Sequence, residues 1–91
     1  MEKVFITELS GIGKPAKLFA LFEKNEYSSV QLVEGFGSDS RVLFTRQCDF
    51  ENDFVDCVVW VRNQVQKYYG GSMTRDLDII IDVLRFSKKW F

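Results

Sequence analysis

Four successive segments in the first half of this chain place large apolar side chains on both sides of an extended backbone. They are residues 3–9 (KVFITEL), 17–24 (KLFALFEK), 27–34 (YSSVQLVE) and 41–48 (RVLFTRQC). Side chains along a strand point alternately to opposite faces, so a sheet built from these segments has two faces to cover. One face carries Val4, Ile6, Leu18, Ala20, Phe22, Val30, Leu32, Val42, Phe44 and Cys48. The other carries Phe5, Leu9, Phe19, Leu21, Val33 and Leu43 among Lys3, Thr7, Lys17, Tyr27, Ser29, Gln31, Arg41 and Thr45. Only the second half of the chain can supply helices as a cover.

Breaker clusters separate the segments: SGIGKP at 10–15, Lys24-Asn25-Glu26, and GFGSDS at 35–40. The 17–24 segment also fits a helical stripe through Leu18, Phe19, Leu21 and Phe22 opening at Pro15. The short turn that leads from it into 27–34 favours a hairpin, and a strand is expected. Consecutive short hairpins give an antiparallel meander.

From Asp49 the period changes. With Asp49 as N-cap, Phe50, Phe54, Cys57, Val58, Val61, Val65 and Tyr68 recur at helical spacing, and Gly70-Gly71 supplies a stop. Val59 and Trp60 fall towards the polar side of that helix. The last segment, 74–91, alternates like a strand through Leu77, Ile79, Ile81 and Val83. Its charges decide for a helix: Asp78, Asp82, Arg85 and Lys89 form one narrow stripe, with acids near the start and Lys88 and Lys89 near the end. The expectation is a single α+β domain over 1–91: a four-stranded antiparallel meander, then two helices, in the order ββββαα.

The chain carries nine Phe, three Tyr and two Trp, a large apolar payload for 91 residues. Its net charge of −1 lacks the excess of Lys and Arg expected of a strong nucleic-acid binder. There is no His, which removes imidazole catalysis and His-containing metal sites. Cys48 and Cys57 are too few for a zinc site and match no redox spacing; two reduced core thiols are expected rather than a bridge. No apolar run is long enough to span a membrane, and MEKVFITEL lacks the apolar core of a signal peptide, so a cytoplasmic location is expected.

No motif names a reaction. Gly11-Ile12-Gly13-Lys14 is not a phosphate loop, because Glu8 stands where the first Gly should be and Pro15 follows the Lys. Asp76/Asp78 and Asp49/Asp53 read as helix-start acids rather than as acid–base pairs. No catalytic residue, cofactor or metal is therefore expected.

What remains is surface. At about 25 cal/mol per Å2, covering ~500 Å2 of the second face is worth on the order of 12 kcal/mol before association costs. Two arrangements would cover it: one helix on each face, as an αβα sandwich, or a partner. The partner reading makes the protein a non-enzymatic binding module and a homodimer, an inhibitor or regulator acting by protein–protein contact. By analogy of size and composition alone, phage-encoded anti-defence and toxin-immunity proteins work in that style. Its interface residues would be Phe5, Phe19, Leu21, Val33, Leu43, Val59 and Trp60. Trp60 serves either as an anchor or tucks under the final helix; Trp90 and Phe91 are expected to pin that helix to the core. The second reading is a single-stranded nucleic-acid binder. The element order over residues 3–69 is similar to that of Whirly-type and Pur-type binders. Phe5, Phe19 and Tyr27 would then stack bases while Lys3, Lys17 and Arg41 hold phosphates. The charge balance disfavours it.

Overall fold

All four expected strands form and pair in chain order. A computed structural model describes residues 2–9, 15–22, 28–49 and 52–87. The strands are β1 (Glu2–Leu9), β2 (Ala16–Phe22), β3 (Ser28–Glu34) and β4 (Arg41–Cys48), each antiparallel to the next, with β1 and β4 at the edges. Two helices follow, α1 (Phe54–Tyr69) and α2 (Arg75–Ser87), joined by a 3-10 turn at Gly71–Thr74. The order is ββββαα. The ambiguous 17–24 segment is strand through Phe22, and the last segment is a helix. The loop at 11–14, the turn at 24–26, Tyr27, Phe50 and residues 88–91 lie outside the described residues.

Both helices lie on one side of the sheet. Leu18, Val30 and Leu32 from the strands are fully buried in one cluster with Cys57, Val58, Val61 and Val65 of α1 and Leu77 and Ile81 of α2. The sandwich with one helix per face is therefore not the arrangement adopted. β-Branched Val55, Val58, Val59, Val61 and Val65 make α1 a modest helix former on its own, and its burial against the sheet supplies what propensity does not.

Two β-bulges correct the face assignment made by strict alternation. A bulge inserts one residue into one strand and reverses the sidedness of everything beyond it. In β1 the register breaks between Phe5 and Thr7, so Leu9 pairs with Ala16 and is buried in the core, and Thr7 pairs with Leu18 on the helix side. In the β3–β4 pair it breaks between Leu32 and Val33. Leu43 packs against the core cluster, Arg41 turns to the helix side beside Glu34, and Val42 joins Val33 on the far face.

α1 starts later than the sequence suggests. Asp53, not Asp49, is its N-cap. The Asp49 carbonyl instead accepts the backbone N–H groups of Asn52 (3.1 Å) and Asp53 (2.8 Å), closing a turn between β4 and the helix. At the other end Gly70 adopts φ +107°, a conformation open to glycine, and its N–H closes on the Gln66 carbonyl at 3.1 Å.

Candidate functional site

The uncovered face can be read from the register as three rows across β1 to β4. They are Lys3–Leu21–Ser29–Gln47, Phe5–Phe19–Gln31–Thr45 and Glu8–Lys17–Val33–Val42. Its apolar members are Phe5, Phe19, Leu21, Val33 and Val42. Leu9 and Leu43 have left it, so the surface is more mixed than alternation implies. Phe5 and Phe19 meet edge to face at 6.0 Å, and the Lys3 ammonium sits 4.1 Å from the Phe19 ring centre. Phe5 is 54% exposed and Val42 49%, whereas Leu21 is buried at 8%. Phe19 and Val33 are half-buried.

A second apolar surface, not anticipated from the strands, lies on the helix side. Val4, Ile6, Ala20 and Phe22 of the sheet, Phe54 of α1, and Ile80, Val83 and Leu84 of α2 line a groove of about 440 Å3. Phe5 lines it too, so the groove and the far face meet around the β1 edge. Ile79, Val83 and Phe86 follow i, i+4, i+7 spacing on α2 and are all exposed, Phe86 at 72%. The i, i+4, i+7 spacing is legible in the sequence, beside the charged stripe that runs through Asp78, Asp82 and Arg85.

Val59 and Trp60 occupy different surroundings from these. Both are half-buried against the core. The Trp60 ring stands edge-on to Phe44 of β4 at 6.4 Å, and the Arg46 guanidinium lies 5.6 Å from its centre. Trp60 thus packs over β4 rather than serving as a freely projecting anchor. Of the cations considered for phosphate contact, Lys3 and Lys17 are on the open face. Arg41 is on the other, where its Nη2 donates to the Tyr68 hydroxyl at 2.9 Å.

Polar chemistry concentrates at the two ends of α1. At its C-terminal end, the Tyr69 hydroxyl donates to buried Glu34, and Arg41 lies 3.6 Å from the other Glu34 oxygen. At its N-terminal end, Cys48, Asp53 and Cys57 bring two sulfurs and a carboxylate oxygen within 4.8 Å of one another. Both cysteines are free and buried. Burial pushes both thiols above their ordinary range. For Cys48 the neighbouring Cys57 adds to the rise; for Cys57 the bond to Cys48 opposes it. In the sequence these residues read as a strand end, a helix-start acid and a stripe position, and nothing in their spacing announces that they converge.

No protein-family model matches this chain, and no curated protein or solved structure matches it. No described helix is long and apolar enough to cross a membrane.

Proposed function

We propose that this chain is a non-enzymatic protein-binding module, a homodimer that acts as an inhibitor or regulator through direct contact. One observation carries the reading. Both helices cover the same side of the sheet, so Phe5 and Val42 stay exposed on the other, and Phe5 joins that face to the groove beside α2. Phe5, the Phe19 ring it touches and the groove form an apolar belt around the β1 edge, with Val42 apart at the β4 edge. An apolar surface marks interaction sites when it is contiguous. A second copy of the chain is the partner chosen, because the belt is apolar and nearly uncharged, with Lys3 and Glu8 both near its β1 side for mutual pairing.

Sedimentation velocity across a concentration series tests it. A concentration-dependent dimer that Phe5→Glu converts to monomer supports the proposal; a strict monomer at every concentration ends it. The nucleic-acid reading has one observation in its favour, the Lys3–Phe19–Phe5 cluster on the open face. Fluorescence anisotropy with labelled single-stranded oligonucleotides at low and moderate salt decides between the two.

A further inference from the structure

We infer that Cys48, Asp53 and Cys57 form a binding site for a borderline-soft divalent cation, with zinc the ion that fits best. The three donors come from the last residue of β4, the N-cap of α1 and the first turn of α1, and the Asn52 and Asp53 N–H groups bond the Asp49 carbonyl beside them. Their donor atoms lie within 4.8 Å of one another. A tetrahedral zinc ion needs about 3.8 Å between two sulfurs and about 3.6 Å between sulfur and carboxylate oxygen, which small rotations of these side chains reach. Thiolate and carboxylate are ligands zinc accepts, and three protein donors leave its fourth position for water.

The behaviour of Asp53 is an independent pointer. An aspartate at an N-cap ordinarily bonds a backbone N–H of its own first turn, but Asp53 makes no such bond. Its Oδ1 accepts the Asp49 N–H at 2.6 Å and lies 3.7 Å from Cys57 Sγ. The same oxygen thus faces Cys57 Sγ and is held in place by a backbone N–H, as outer partners fix metal-ligating carboxylates. Asp49 is itself steadied by the Asn52 side-chain amide at 2.6 Å. The Cys57 Sγ partners among the described residues are the Gln47 carbonyl at 3.5 Å, this carboxylate and the Cys48 thiol, all of them weak sulfur contacts. A bound dication displaces the two thiol protons and offsets the charge of the two thiolates and the carboxylate that hold it. It would clamp the end of β4 to the start of α1, where Phe54, the residue after Asp53, lines the apolar groove.

The test uses the full chain, reduced with a phosphine and stripped with a chelator, then titrated with Zn2+ or Co2+ alone. One Zn2+ per chain is expected, together with protection of both thiols from alkylation. Co2+ should give a sulfur-to-cobalt charge-transfer band with intense tetrahedral visible bands. Cys48→Ser and Cys57→Ser should each lose that band, and Asp53→Asn should keep sulfur ligation while weakening affinity about tenfold or more. Should a serine variant fail to fold by circular dichroism, thiol protection in the unmodified chain still decides. The inference is overturned by Co2+ binding without a charge-transfer band, by zinc that leaves the thiols reactive, or by an air-formed Cys48–Cys57 disulfide in a chain whose reduced form takes up no metal.

Discussion

Tyr69, the last residue of α1, donates its hydroxyl hydrogen to Glu34, the last residue of β3. The bond fastens the helix end to the sheet and satisfies a carboxylate that is otherwise buried. A buried charge is costly unless it is paired and hydrogen-bonded. The pairing cation is Arg41, which alternation along β4 would send to the opposite face. The bulge beside Leu43 turns it back, so an irregularity in the ladder delivers the counter-charge.

Replacing Tyr69 by Phe removes the donor while Glu34 stays buried. Stability should fall by about 1.5–3 kcal/mol, the range for hydrogen bonds to charged groups, as read by urea denaturation. The same variant should change the alkaline limb. Burial, then the Glu34 bond and charge, then Tyr68, hold the Tyr69 proton above the ordinary tyrosine range, with Arg41 opposing. The folded-state value is raised, so the contribution is intact below the unfolded value of about 10 and shrinks as pH climbs beyond it. Tyr69→Phe should flatten that decline. An unchanged slope would show that Tyr69 is not responsible for it.

A tighter-looking pair should matter less. Arg62 Nε donates to Asp78 at 2.9 Å between α1 and α2, yet both side chains are substantially open to water. Solvent screening limits such pairs, and Arg62→Ala should cost no more than about 1 kcal/mol. By contrast Leu32→Ala, at a fully buried site in the core cluster, should cost about 2–5 kcal/mol. Paired urea midpoints check the ranking.

Much of this architecture was legible and some was not, for definable reasons. The strand at 17–24 declared itself through its short turn into β3, and the acid-to-base order of α2 outweighed the β-branched run Ile79-Ile80-Ile81. Alternation failed at Ile6 and Leu43 because a bulge needs no glycine or other marker residue here. One extra residue in each strand was enough to misplace Thr7, Leu9, Arg41, Val42 and Leu43. Helix number was readable. Both helices cover the face carrying Leu18, Val30 and Leu32, the one the apolar alternation assigns to them, although one helix per face was the alternative. The dithiol–carboxylate cluster depends on Asp53 rather than Asp49 being the N-cap, which the sequence does not announce.

Gly35 is set by geometry rather than by packing. Its φ is +102°, and a Cβ there would stand 2.8 Å from the Asp39 carbonyl oxygen. That oxygen is backbone and cannot swing aside. The Gly35 N–H also bonds the Pro15 carbonyl at 2.8 Å, tying the β3–β4 loop to the start of β2. Gly35→Ala should therefore destabilise by more than about 1 kcal/mol, whereas Gly37→Ala meets nothing within 4 Å. Gly37, at φ +49°, borders the left-handed region that other residues can enter, so the comparison measures the clash together with the greater strain at Gly35. Equal midpoints for the two variants would mean that the loop rearranges.

The apolar belt makes the sharpest separation between folding and association. Phe5 is 54% exposed and touches Phe19 at one edge, so Phe5→Glu should cost a single chain no more than about 1.5 kcal/mol. In a dimer built on the belt the same carboxylate would be driven into an apolar contact. A loss of about 2 kcal/mol or more there raises the dissociation constant at least about 30-fold. Val83→Glu, 56% exposed across the groove, should act the same way because Phe5 belongs to both surfaces. Gln31→Glu places an equal charge in the polar part of the same sheet face and should leave association within about threefold of the parent, apart from salt-dependent effects. Sedimentation equilibrium on the three variants reads the pattern. If Gln31→Glu disrupts the dimer as much as Phe5→Glu does, net charge rather than the belt governs assembly.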